Sequence, residues 1–81
     1  MKNQHEKLIA KISRIADSRG LDVRTNYSGR GMFGSRCIGF VGDDMTCAAL
    51  AGLVQRKTGH TARKDNMGLG TIYYFPTITT E

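Results

Sequence analysis

The first quarter of the chain places apolar residues at helical spacing. Between Asn3 and Arg19 these residues fall on one face, which predicts an amphipathic helix, and Gly20 follows where a left-handed residue commonly ends a helix. The opposite face is basic, and such a face is more often solvated than bound to a ligand. The apolar positions are Leu8, Ile9, Ile12, Ile15 and Ala16, and the basic positions are Lys7, Lys11 and Arg14.

A strand pattern follows this helix. Residues 21–27 alternate in polarity, and residues 36–41 (RCIGFV) fit a returning strand. An antiparallel hairpin is therefore predicted over 21–41, with a long glycine-rich connection at 28–36 that we call the tip. On the first strand, one side is predicted to carry Leu21, Val23, Thr25 and Tyr27, and the other Asp22, Arg24 and Asn26.

A second helix is predicted after the hairpin. Asp43 or Asp44 can cap its N-terminus, and it runs to about Thr58, where Gly59 supplies another left-handed end. Its apolar face is predicted to consist of Met45, Ala49, Leu50, Leu53 and Val54, while Ala48, Ala51 and Gly52 permit close packing.

A second hairpin closes the chain, with strands predicted at 60–65 and 71–75. Pro76 is expected to stop the last strand, because proline lacks the N–H that a sheet ladder needs. Residues 76–81 are expected to form a flexible tail or an edge strand.

The two halves show the same order of elements. Residues 20–26 match residues 59–65 at an offset of 39 residues, sharing glycine and arginine four positions apart. This pseudo-repeat predicts one α+β domain over residues 1–81, with the order αββαββ, a four-stranded antiparallel sheet and both helices on one face. The other face would be open, a place for a partner or for a second copy in a homodimer.

Composition adds a preference for binding over catalysis. The chain has 81 residues and a formal net charge of +5, and a fold of this size leaves little room for a deep catalytic cleft. Residues 1–40 hold eight basic and three acidic groups, so an anionic partner is expected to meet the first half. No stretch is apolar for long enough to span a membrane, and the expected compartment is the cytoplasm.

The sequence gives little support for a metal, a cofactor or a nucleophile. Cys37 and Cys47 are expected to be reduced, partly buried thiols, with a bridge between them left open. Together with His5 and His60 they lack the close paired spacing of zinc ligands. We therefore expect no metal, no cofactor and no enzymatic activity.

The tip contains the letters of a dinucleotide-binding fingerprint, from Gly29 to Gly34. That fingerprint needs a helix after the glycines, whereas a strand is predicted here. The phosphate-binding loop of nucleotide triphosphatases fails too, because Ser35 and Arg36 stand where lysine and a hydroxyl residue are required. A kinase glycine loop joins two strands, but the chain lacks the other kinase motifs.

Three interpretations of the tip stay open. Its backbone N–H groups and two arginines suit an anion, its glycines suit a turn whose Met32 and Phe33 cover the core, and its aromatic and methionine side chains suit a protein interface or a stacked base. The candidate binding residues are Arg24, Tyr27, Ser28, Gly29, Arg30, Gly31, Met32, Phe33, Gly34 and Arg36.

The segment YSGRGMFGSRCIGFVGDD, residues 27–44, resembles a YSGRGM(F/Y)GxxCxG pattern found in small bacteriophage and prophage proteins. The resemblance covers about residues 27–42 and implies a phage setting. Small phage proteins of this size are often counter-defence factors, either anti-CRISPR inhibitors of a bacterial defence protein or sponges for a nucleotide signal. The expected function is therefore stoichiometric binding of such a partner through the tip, and the alternative is a small nucleic-acid-binding protein.

Overall fold

The computed structural model describes residues 5–29, 32, 34–66 and 70–80. It confirms the predicted α+β fold with the order αββαββ. The elements are α1 (Glu6–Ser18), β1 (Asp22–Tyr27), β2 (Cys37–Val41), α2 (Asp44–Thr58), β3 (Arg63–Asn66) and β4 (Thr71–Thr79).

The four strands form one antiparallel sheet in the order β1-β2-β4-β3. Exchanging the two halves of the chain leaves this order unchanged, which is consistent with the pseudo-repeat. Gly20 and Gly59, which the repeat superimposes, both have left-handed backbones, with φ of 76° and 80°. Each follows its helix at the position where glycine carries no steric penalty.

The C-terminal end of α1 and the N-terminal end of α2 are each fixed by hydrogen bonds, at the residues where the sequence predicts them. At the end of α1 the N–H groups of Gly20 and Leu21 donate to the carbonyls of Asp17 and Ala16, the Schellman arrangement. At the start of α2 the Asp43 carboxylate accepts from the Thr46 N–H at 3.0 Å, which settles the N-cap as Asp43.

The main core lies between the helices and one face of the sheet. Both helices contribute to it, which confirms that they pack on the same face. In the part of the chain that the structure describes, no helix is both long and apolar enough to cross a membrane. The buried residues of this core are Ile12, Ala16, Leu21, Ile38, Phe40, Cys47, Leu50, Ala51, Val54, Phe75 and Ile78.

The predicted apolar face of α2 is partly wrong. Cys47 and Ala51 join Leu50 and Val54 in the core, whereas Met45 is 81% exposed and Ala48 and Ala49 are also exposed. Apolar and small residues of α2 are distributed around the whole helix, so the spacing of its apolar residues does not identify the buried side.

The prediction that Pro76 ends the last strand is also wrong. β4 continues to Thr79 in the centre of the sheet, and Ile78 is fully buried. Ile38 pairs with Phe75 while the adjacent Cys37 pairs with Thr79. Pro76 therefore lies in an irregular stretch of the ladder, where a missing N–H is tolerated.

Candidate functional site

The face of the sheet opposite the helices is not open, contrary to expectation. It carries a second apolar cluster, which we call the tip-side cluster because residues of the tip cover it. Its buried members are Cys37, Ile72 and Tyr74, and Tyr27, Met32 and Val41 pack against them. The hairpin connection therefore folds back onto the sheet.

Tyr27 reaches this face because of a bulge. Val23 pairs with Phe40 and points with it to the helices, but Arg24 pairs with Gly39 and Tyr27 with Cys37. One additional residue of β1 is inserted between these pairs, which moves the following side chains to the other face. The prediction that Tyr27 shares a side with Leu21 and Val23 is therefore wrong.

Gly29 passes directly over the ring of Tyr74. A Cβ atom at this position would lie 2.5 Å from Cε2 of Tyr74, well inside van der Waals contact. Tyr74 is only 3% exposed, and its ring packs against that of Tyr27 with the centroids 4.8 Å apart. Glycine is needed here for close approach, not for a left-handed backbone.

Met32 anchors the middle of the tip. Its Sδ atom accepts from the Gly29 N–H at 3.1 Å and lies 3.8 Å from the Cys37 thiol. The Met32 N–H donates to the Gly29 carbonyl, and the Ser35 N–H donates to the Met32 carbonyl. Three backbone donors that could have formed an anion cradle are thus used within the tip.

Tyr27 and Asp65 connect the two edge strands. The Tyr27 hydroxyl donates to Oδ2 of Asp65 at 2.7 Å, joining β1 to β3 across the tip-side face. Burial, together with the hydrogen bond and the negative charge of Asp65, raises the pKa of Tyr27 to about 12. Tyr27 therefore has a structural role in this fold.

The raised pKa of Tyr27 predicts a loss of stability in alkali. The neutral phenol stabilises the fold fully below its unfolded pKa of 10, and this contribution is lost as the pH rises from 10 through about 12. We expect Asp65→Asn to lower the pKa of Tyr27, measured by tyrosinate absorbance. Tyr73→Phe is the control, because it removes the signal of another tyrosine from the titration. An unchanged titration in Asp65→Asn would contradict this assignment.

The arginines around the tip are placed differently from one another. Arg24 forms a salt bridge with Asp22 at 2.8 Å, so its charge is largely compensated. Arg36 is exposed, and its guanidinium donates to the Asn26 carbonyl at 3.3 Å. Arg36 is thus an exposed arginine at the end of the tip.

The other predicted tip residues divide into two groups. Ser28 and Gly34 are exposed, and Gly34 has a left-handed backbone with φ of 91°. Arg30, Gly31 and Phe33 lie outside the described residues. Among the described residues, the exposed part of the tip therefore comprises Ser28, Gly34, Ser35 and Arg36, while Tyr27, Gly29 and Met32 hold it on the sheet.

The two cysteines lie on opposite sides of the sheet, Cys37 in the tip-side cluster and Cys47 in the main core. Both are unpaired and buried. Burial raises the pKa of Cys37 to about 11 and also raises that of Cys47, so both remain protonated and weakly nucleophilic near neutral pH. Within the described residues, no three groups of the metal-binding types come together.

Two features of the structure were not predicted from the sequence. The first is Asp65, whose bond to Tyr27 depends on strand order and has no local signal. The second is a groove between α1 and α2 that adjoins the basic face of α1. The basic spacing of α1 is visible in the sequence, but the neighbouring wall comes from α2, which begins 26 residues after α1 ends.

Comparison of the chain with protein-family models, with curated proteins and with solved structures gives no match. The functional proposals therefore rest on the geometry of the tip and of the groove between α1 and α2.

Proposed function

We propose that this protein is a non-enzymatic binding protein that associates stoichiometrically with an anionic partner through the exposed part of the tip. The observation that carries the proposal is the attachment of the tip to the sheet by Gly29 and Met32. A connection held in this way presents its outer residues at low entropic cost, which favours binding. Arg36 supplies the forked donors that carboxylates and phosphates prefer.

The partner class follows from charge and from the phage resemblance together. A bacterial defence protein with an acidic surface and a nucleotide signal both offer the carboxylate or phosphate groups that arginine binds. The internal use of the Gly29, Met32 and Ser35 N–H groups weakens the case for a phosphate cradle built from backbone. Among these partners, the acidic surface of a defence protein fits better.

The tip proposal predicts that Arg30→Ala with Arg36→Ala weakens partner binding at least about tenfold, because charge-assisted hydrogen bonds are lost. Nucleotide ligands are tested by thermal shift with cyclic dinucleotides and ADP-ribose derivatives, since a bound ligand raises the melting temperature by mass action. Candidate defence proteins are tested by calorimetry.

Arg56→Ala is the matched control for this experiment, because Arg56 is an exposed arginine of α2, on the helix side of the sheet. Equal binding by the wild type, the tip variant and the Arg56 variant would refute the tip as the contact surface. Circular dichroism must show that the tip variant is folded.

The alternative function is nucleic-acid binding through the basic first half. Lys7, Lys11 and Arg14 favour it, because they project from one side of α1 and form no salt bridge with any residue the structure describes. The affinity for a nucleic acid should fall tenfold or more between about 50 and 200 mM salt if the protein contacts several phosphates of its backbone. Absent or salt-independent binding would eliminate this alternative.

A further inference from the structure

A groove runs between α1 and α2 on the side of the helices away from the tip. Its walls are apolar, with Ile12 and Val54 continuous with the main core. Lys11 lies on the α1 wall and Lys57 on the α2 wall, with Thr58 beside it. The described residues that line it are Leu8, Lys11, Ile12, Ile15, Leu53, Val54, Lys57 and Thr58.

The surroundings of the groove have one sign of charge. A shallower depression on the α1 side is lined by Lys7, Lys11, Arg14, Ile15 and Ser18, so Lys11 and Ile15 belong to both surfaces. Among the residues that the structure describes, no acidic side chain lines either depression. Lys11 and Lys57 also form no salt bridge with the residues that the structure describes.

Helix stability does not account for all of this charge. Lys57 lies in the last turn of α2, where a cation complements the helix dipole. Lys7, in contrast, lies in the first turn of α1, where a cation is unfavourable, and the last turn of α1 has no basic residue. Of the basic residues on α1, Lys7 is thus placed against the dipole, in the depression that adjoins the groove.

We propose that this groove binds an acidic amphipathic helix of a partner protein. The apolar side chains of such a helix, spaced one turn apart, would enter between Ile15 and Leu53, as in other helix-in-groove complexes. Its carboxylates would meet Lys11 and Lys57 at the two walls, giving the charge complementarity that selects partner and orientation. This surface is separate from the tip, so the two proposals can fail independently.

Other occupants fit the groove less well. A nucleic-acid backbone would use the lysines but leave the apolar walls uncovered, and a membrane surface favours apolar side chains that protrude, not a concave site. A second copy would have to present acids beside an apolar row. Neither of its helices does so, because α1 has only Glu6 and Asp17 and α2 has only Asp44.

The test uses a synthetic peptide with leucines at helical spacing and glutamates along both flanks, labelled for fluorescence anisotropy. The controls are a scrambled peptide of the same composition and a peptide with lysine in place of glutamate. We expect micromolar binding of the first peptide alone, with NMR shift changes at Lys11, Ile15 and Leu53. Absence of binding up to about 1 mM, or equal binding of the scrambled peptide, would overturn the proposal.

Charge reversal locates the contact. Lys57→Glu should weaken peptide binding about tenfold, whereas Arg56→Glu changes the net charge equally, on the same helix, at a residue outside the groove lining, and should have a smaller effect. Equal losses would indicate only long-range attraction and would refute the groove.

Displacement of the peptide by duplex DNA or by phosphatidylserine vesicles would assign the surface to those ligands instead. A concentration-dependent dimer that Lys57→Glu abolishes would assign it to a second copy. Each of these three outcomes overturns the proposal. Arg36→Ala, on the other side of the sheet, should leave peptide binding unchanged.

Discussion

Replacing Tyr74 with alanine is expected to lower the free energy of unfolding by about 3 to 5 kcal/mol, the usual cost of removing a buried aromatic ring. The ring is 3% exposed and forms the floor on which both Tyr27 and the tip rest. Its loss would leave a cavity under Gly29 and remove the ring that packs against Tyr27. For a domain of this size such a loss is a large part of the total stability.

The measurement is equilibrium unfolding in urea, with Tyr74→Phe as the matched control. Phenylalanine keeps the ring and removes only the hydroxyl, so this variant should lie within about 1 kcal/mol of the wild type. Limited proteolysis should cut the alanine variant within the tip before the helices are attacked. A loss of less than about 1 kcal/mol in Tyr74→Ala would mean that the tip-side cluster contributes little to stability.

Much of the fold could be predicted because its signals are local. The apolar period of α1, the Asp43 cap and the left-handed Gly20 and Gly59 each involve residues within one or two helical turns. Alternating strands separated by glycine-rich connections then indicate the hairpins. With two helices and two hairpins in order, few compact arrangements other than the observed sheet remain.

The incorrect predictions depend on interactions between distant parts of the chain. The bulge that turns Tyr27 is set by its pairing with Cys37, and Pro76 continues a strand because β2 pairs on both sides of it. The sequence pattern predicts a buried Met45, but α2 turns a different side to the sheet and leaves Met45 exposed. Tertiary pairing overrides local propensity at these positions.

The role of the tip also depends on contacts with distant parts of the chain, so the site remains a prediction. Glycine and methionine in the tip were consistent with either a ligand or a covering loop, and the sequence alone could not distinguish them. The structure assigns Gly29 and Met32 to covering the sheet and leaves Arg36 exposed. Whether Arg36 meets an anion stays a prediction for the binding experiments.

Replacing Gly29 with alanine is expected to destabilise the fold by about 1 to 3 kcal/mol, the usual cost of overpacking. The new methyl group would overlap the Tyr74 ring, with 2.5 Å to Cε2 and 2.6 Å to Cζ. The ring cannot move away easily, since Tyr27 packs against it and it is almost fully buried. The tip must therefore lift from the sheet, and its apolar contacts are weakened.

A matched glycine and a double-mutant cycle distinguish steric overlap from a backbone effect. Gly70 has open space around its Cβ position, so Gly70→Ala should be neutral or stabilise by up to about 1 kcal/mol through a lower unfolded-state entropy. If overlap with the ring is the cause, Gly29→Ala should cost much less in a Tyr74→Leu background, giving a coupling of about 1 kcal/mol or more. Unfolding in urea measures all the variants. Additive effects would show instead that alanine disturbs the tip through its own backbone, and the close approach of Gly29 to Tyr74 would then not explain why glycine occupies this position.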